Sequence, residues 1–234
     1  MLKPLVIDIE TDVKTQEVVV VTLRGLDGAV SLWHPRDSAV VEYVRQQMAD
    51  PDAVLVGHNI AFDCAALQFL PEWNALLWDL YDAGRVSDTL VREKLRNLSV
   101  GRLDQFNYGL DDLAAKHFGL SISKDKNDPT SWRMRFGELK DVALDQWPAD
   151  AVAYCKQDVE LCYALWKSFQ CSPQGCALDY VLPSGMVTNE VEQVRAALAL
   201  RLMSIGGMAV DPVRTAGLEQ LWTEQVSEGR AKAD

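Results

Sequence analysis

The 234-residue chain is short of positive charge: 23 Lys and Arg stand against 34 Asp and Glu, a formal net charge of −11. That deficit excludes a protein that coats nucleic acid by neutralising runs of phosphate, since such binding draws its affinity from counterions displaced by Lys and Arg. It leaves room for an enzyme that grips a few terminal nucleotides, because metal-binding carboxylates push the balance acidic and the bound cations reverse the local sign. Nitrogen and sulfur ligands are scarce too. Three His are present, and the five Cys, at 64, 155, 162, 171 and 176, show no CxxC spacing. A structural zinc site is thereby left short of ligands, and free thiols in a reducing compartment are the plainer reading. No stretch nears the ~20 apolar residues of a membrane span. Met1–Pro4 leads into an apolar run without the pattern of a signal peptide. The expectation is a soluble, cytoplasmic protein with no membrane partner.

Hydrophobic residues, at 48%, suffice for a buried core. Strand-like segments lie at Leu5–Ile9, Glu17–Leu23 and Ala29–Trp33, with an Asp27-Gly28 turn before the third; together they predict an antiparallel meander. Val40, Val41, Val44 and Met48 recur at helical spacing and predict a helix over 39–48. A short buried strand over 53–56 ends at Gly57, and a helix follows over 60–69. Another extended segment ends at Val86. Helices are expected over 89–98 and 110–118, the second closed by Gly119. Residues 121–137 are polar and basic and read as a mobile loop. A long helix over 149–169 starts just after Pro148. This order implies an α/β fold, a mixed β-sheet flanked by helices. Residues 1–170 form the main domain on this reading. Residues 171–189 are a connector, since 171–185 hold two Pro, two Gly and two Ser. Residues 190–234 form a helical extension, with an amphipathic helix over 190–205, a break at Gly206-Gly207 and a last helix opening at Asp211-Pro212.

Asp8 and Glu10 stand two apart in the first strand, so they share a face. Two like charges on an apolar strand are costly unless a cation lies between them; a solvated strand end is the alternative. Asn59 and Asp63 are four apart where the fourth strand gives way to a helix, and so share one side of its first turn. A helix cap at Asn59 with an exposed Asp63 reads equally well. Tyr154 and Asp158 are also four apart, on the long late helix. A Tyr there can orient a water through its hydroxyl, or simply fill space. What carries weight is the order and spacing of the three elements together.

Three stretches resemble the motifs of the DEDD, or DnaQ-like, exonuclease superfamily on its ribonuclease H-like fold. They are Val6-Ile7-Asp8-Ile9-Glu10-Thr11, His58-Asn59-Ile60-Ala61-Phe62-Asp63 and Tyr154-Cys155-Lys156-Gln157-Asp158. A Tyr four residues before Asp158 resembles the DEDDy branch, which includes the proofreading domains of family A DNA polymerases and the ribonuclease D group. Ser87-Asp88-Thr89-Leu90, Leu110-Asp111-Asp112-Leu113-Ala114 and the tail from Glu192 to Asp211 resemble the polymerase branch.

The resemblance implies a 3′-5′ exonuclease acting on single-stranded DNA ends, proofreading for a family A polymerase whose polymerase domain or subunit would be its partner. It implies two divalent cations, Mg²⁺ or Mn²⁺, held by Asp8, Glu10, Asp63 and Asp158, with Tyr154 orienting the attacking water. It also implies contacts to the last nucleotides from Thr11 and Asn59. Phe62 is a candidate stacking partner, although core packing is the weightier reading. Two basic groups, Arg85, Arg92, Lys94 and Arg96, and Lys124, Lys126, Arg133 and Arg135, offer phosphate contacts against the plainer reading of a solvated surface. Two other functions fit the same residues: a ribonuclease D-like exoribonuclease, and a non-catalytic exonuclease fold kept as a scaffold.

Overall fold

Strand β1 (Lys3–Thr11) organises the sheet. It pairs antiparallel with β2 (Val18–Arg24), which turns through Gly28, at φ 87°, into antiparallel β3 (Val30–Trp33). On its other side β1 pairs parallel with β4 (Ala53–Gly57), and β4 with β5 (Val86–Asp88), giving the order β3-β2-β1-β4-β5. The computed structural model describes residues 2–99, 101, 107–120, 128–170, 189–207 and 222. The architecture is the expected mixed, ribonuclease H-like sheet flanked by helices. The connector and the helix expected from Asp211-Pro212 lie outside the described residues, apart from Asn189 and Trp222.

Helix α1 (Ser38–Met48) starts at an Asp37 cap and buries Val40, Val41, Val44 and Met48, the four positions its periodicity singles out. After β4 come α2 (Ile60–Leu67) and α3 (Pro71–Asp82). The sequence reading left 70–85 without a helix. Yet Pro71 sits in the first turn, and Trp73, Leu76, Leu77 and Leu80 form a buried helical stripe. The extended segment expected to end at Val86 instead begins there, because Gly84, at φ 65°, is still turning the chain out of α3. Helices α4 (Thr89–Ser99) and α5 (Leu110–Phe118) follow, α5 closed by left-handed Gly119.

Part of the stretch expected to be a loop is ordered helix. Residues 121–127 are outside the described set, but α6 (Trp132–Arg135) runs into a 3-10 turn over Phe136–Leu139. Phe136 is fully buried among Val19, Val20, Trp147, Ala151 and Cys155. One inserted aromatic ring pins a segment whose composition alone looks solvated.

The long helix α7 (Ala149–Gln170) lies across the sheet. Its buried stripe runs 151, 155, 158, 162, 165, 169, and every member is apolar except Asp158. Val6, Val54 and Val56 pack with Val159, Leu165 and Trp166. Val6 thus marks the face of β1 that meets α7, and its i+2 and i+4 neighbours on that face are Asp8 and Glu10. Helix α8 (Glu190–Gly206) ends before Gly207, at φ 65°. Two compact units divide within α8: 1–201, and 202–234, of which only 202–207 and 222 are described. At the start of α8, Glu190 is buried against Arg92 (2.8 Å) and Ser87 (2.5 Å).

Candidate active site

A cavity of about 570 Å³ opens at the carboxyl ends of β1 and β4, against α7. All eight residues singled out from the sequence line it: Asp8, Glu10, Thr11, Asn59, Phe62, Asp63, Tyr154 and Asp158. Asp8, Glu10 and Asp158 each offer a carboxylate oxygen within 4.8 Å of the others. The strand period places the first two on one face, and the gap Asp158 makes in the apolar stripe of α7 places the third opposite them.

Asp63 stands apart from this trio. It is buried, and its Oδ1 accepts the Ile9 backbone N–H at 3.1 Å. β1 pairs with β4 from Lys3 to Val6, so β4 does not reach that N–H; Asp63 takes the place of the missing strand. Burial, then the Asp8 charge, hold its carboxyl well above the ordinary range.

The turn that delivers Asp63 is held from beneath. Asn59 adopts a left-handed backbone, φ 59° and ψ 42°, and its side chain makes no capping bond to α2. The buried Asp88 carboxylate fixes it: Oδ1 accepts the N–H groups of Asn59 (2.9 Å) and Leu90 (2.9 Å), and Oδ2 that of Ile60 (3.1 Å). Val91 N–H lies 3.4 Å from Oδ1. One side chain thereby staples the start of α2 to the start of α4. Burial lifts its carboxyl to about 6 despite these donors. His58 adds a second tie, donating from Nε2 to the Tyr108 carbonyl (2.9 Å), with Nδ1 2.8 Å from Thr89 Oγ1.

Tyr154 meets the Phe136 ring edge-on, centroids 5.7 Å apart, and lines the cavity. Burial, then the Glu10 and Asp158 charges, push the phenol far up, and it stays a hydrogen-bond donor across the physiological range. Phe62 is half-buried; it lines the cavity, and the Arg201 guanidinium lies 4.9 Å over its ring. Thr11 follows a register shift at the end of β1.

The basic groups separate by role. Arg85 is spent on the carbonyls of Ala53 (3.0 Å) and Asp50 (2.6 Å), and Arg92 is buried on Glu190. Arg96 leans on Glu93 (3.6 Å), and Arg135 pairs with Glu138 (2.8 Å). Lys94 lies 5.4 Å over the Tyr108 ring. Lys124 and Lys126 lie outside the described residues. Among the described members of these groups, Arg133 alone lines the cavity. Gln16, Tyr108 and Gly109 also line it without having been singled out; their positions come from turns and loops that no periodicity announces.

The fold matches solved nucleases at low identity. Brucella melitensis NrnC superposes with TM-score 0.54 at 16% identity over 91% of this chain and 90% of that one. Its form with bound Mg²⁺ gives 0.55 at 16% over 90% of each, and a structure titled the apo form of the nuclease gives 0.54 at 17% over 89% and 88%. A search of curated proteins finds no match. The sequence matches the 3′-5′ exonuclease family model of family A DNA polymerases over residues 3–172, nearly three quarters of the chain. With the carboxylates that its motifs predict facing one cavity of a DnaQ-like fold, the chain belongs to the 3′-5′ exonuclease family.

Proposed function

We propose that this protein removes nucleotides one at a time from single-stranded DNA 3′ ends by two-metal-ion hydrolysis, as the proofreading activity of a family A DNA polymerase. The observation that carries the reading is the trio Asp8, Glu10 and Asp158, whose oxygens fall within 4.8 Å of one another in a cavity that Asp63 and Tyr154 also line. Three carboxylates at that spacing repel one another strongly unless a cation joins them. Their all-oxygen donor set suits Mg²⁺ or Mn²⁺ and not zinc. Asp8, Glu10 and Asp158 would hold one ion, with Asp8 shared toward a second held by Asp63. Such ions generate the nucleophile from water and stabilise the departing 3′ oxygen.

The chain's own groups do the positioning. Tyr154 keeps its proton and donates it in a hydrogen bond that orients the attacking water against the phosphate. Thr11 and Asn59 stand at the cavity wall where the terminal nucleotide would lie, and Phe62 offers it a ring face. The match to the family A exonuclease model supports DNA as substrate and a polymerase domain or subunit as partner.

The test is digestion of matched DNA and RNA oligonucleotides labelled at either end. The expected result is stepwise shortening of the DNA from its 3′ end in Mg²⁺, abolished by chelation and by the Asp8→Ala/Glu10→Ala double substitution. Clear preference for RNA would replace the substrate assignment. Equal activity in the double variant would show that the nuclease is a contaminant and leave the fold as a scaffold.

A further inference from the structure

The cavity has a charge problem. Among the described residues five carboxylates line it, those of Asp8, Glu10, Asp63, Asp111 and Asp158, and a nucleic acid must enter as a polyanion. Cations held by the acids relieve the repulsion at their own positions, but the rest of the strand still needs an attractive partner. Among the described residues one lysine or arginine lines this cavity: Arg133.

Its placement is built, not incidental. Arg133 lies on α6, between the two aromatic side chains that anchor that segment. Trp132 stacks beneath the Arg135 guanidinium (4.5 Å) and meets the Phe136 ring (6.0 Å between centroids), and Phe136 is fully buried against Tyr154. Gly137 runs so close to Asp12 that an added Cβ would stand 2.7 Å from its carboxyl carbon, which seats the segment on the end of β1. Arg135 is turned to Glu138. With its neighbours committed, Arg133 is the exposed cation of this segment that faces the catalytic acids. Its charge acts on the Tyr154 hydroxyl, opposing the upward push of Glu10 and Asp158.

We infer that Arg133 is a substrate-binding residue that grips a phosphate of the strand lying beside Tyr154, an inference that rests on the exonuclease reading. A guanidinium suits the task. It stays protonated at any working pH, presents a planar fork to two phosphate oxygens, and pays little desolvation at an exposed site. The role also explains why a segment of otherwise solvent-loving composition is locked down by a buried phenylalanine.

The test compares the parent with Arg133→Ala, Arg133→Gln and Arg133→Lys, using Arg45→Gln, in the exposed last turn of α1, as a control outside the cavity. Digestion of a single-stranded DNA oligonucleotide in Mg²⁺ gives KM and kcat. Binding of a fluorescent version in Ca²⁺ at several salt concentrations gives the salt slope, and a thermal melt checks the fold. Removal of the charge should raise KM roughly 5- to 20-fold, move kcat less, and flatten the slope of log affinity against log salt by about 0.7, the share of one single-strand phosphate. Lysine should keep the slope and recover part of KM; Arg45→Gln should match the parent. Parent-like KM and salt slope in both the Ala and Gln variants would overturn the role of Arg133, as would a lowered melting temperature with those two quantities intact. A parent protein that shortens no oligonucleotide would instead overturn the exonuclease reading beneath it.

Discussion

Replacing Phe136 with alanine would separate what holds the active-site segment from what performs the chemistry. The ring is fully buried and touches three others, Trp132, Trp147 and Tyr154, at centroid distances of 6.0, 6.0 and 5.7 Å. Truncating a buried phenylalanine costs ~3–5 kcal/mol in transfer and cavity terms. That range already contains the lost ring contacts, each worth ~0.5–1.5 kcal/mol beyond area, and with three of them here its upper part, about 4–5 kcal/mol, is expected. A domain of this size has ~5–15 kcal/mol to lose, and the variant should still fold. Phe136→Leu, which conserves most of the volume, should cost about 1.5 kcal/mol. Urea unfolding followed by tryptophan fluorescence measures both, because Trp132 and Trp147 flank the site. The slope against urea should stay unchanged, since the surface exposed on unfolding is nearly the same. Nuclease activity should fall with the ring, at least tenfold for alanine and less for leucine, because Tyr154 and Arg133 lose their common support. Alanine costing under about 1 kcal/mol with parental kcat would refute the claim that this ring holds the site.

Two further outcomes follow from buried charge. Asp88 has a folded pKa of about 6 against an ordinary 3.8, so it favours the native state below about pH 4 and that contribution is lost as the pH rises through 6. Two units at 1.36 kcal/mol each make the loss ~3 kcal/mol. The stability of the parent minus that of Asp88→Asn should fall by that order between pH 4 and pH 7 in urea titrations; a flat difference would contradict the assignment. Glu190→Ala should cost about 3–5 kcal/mol by taking a carboxylate from the buried Arg92, and hydrogen exchange should quicken first in α8. A cost under 1 kcal/mol would mean that the pair does not fasten this helix.

Periodicity made much of this molecule legible. The alternation in β1, the stripes of α1 and α7 and the Gly119 stop of α5 are local signals, and they fixed which side of each element faces inward. Asp8, Glu10 and Asp158 were readable because their elements are regular. What escaped was tertiary. Helix α3 carries a clear stripe, yet it sits between two elements that seemed to need only a turn. Phe136 is a lone apolar residue between Arg135 and Gly137, and nothing nearby says that it is buried. Asp88 was visible as part of a resemblance, but its partners are backbone N–H groups at 59, 60, 90 and 91, which have no side-chain signature. The carbonyls of Ala53 and Asp50 that engage Arg85, and the Glu190 that engages Arg92 from far along the chain, carry no local signal either.

The bond from Asp63 to Ile9 gives one acid two employers. On the proposed mechanism it would hold a cation, and it also finishes a sheet that β4 leaves incomplete. A protein disabled at this position would carry a bare strand amide as well as a missing ligand, so inactivity there would mix chemistry with architecture. A lineage shedding its nuclease activity would meet less resistance at an acid without that second duty, and the backbone's claim on Asp63 would tend to keep an aspartate there after the catalysis had gone.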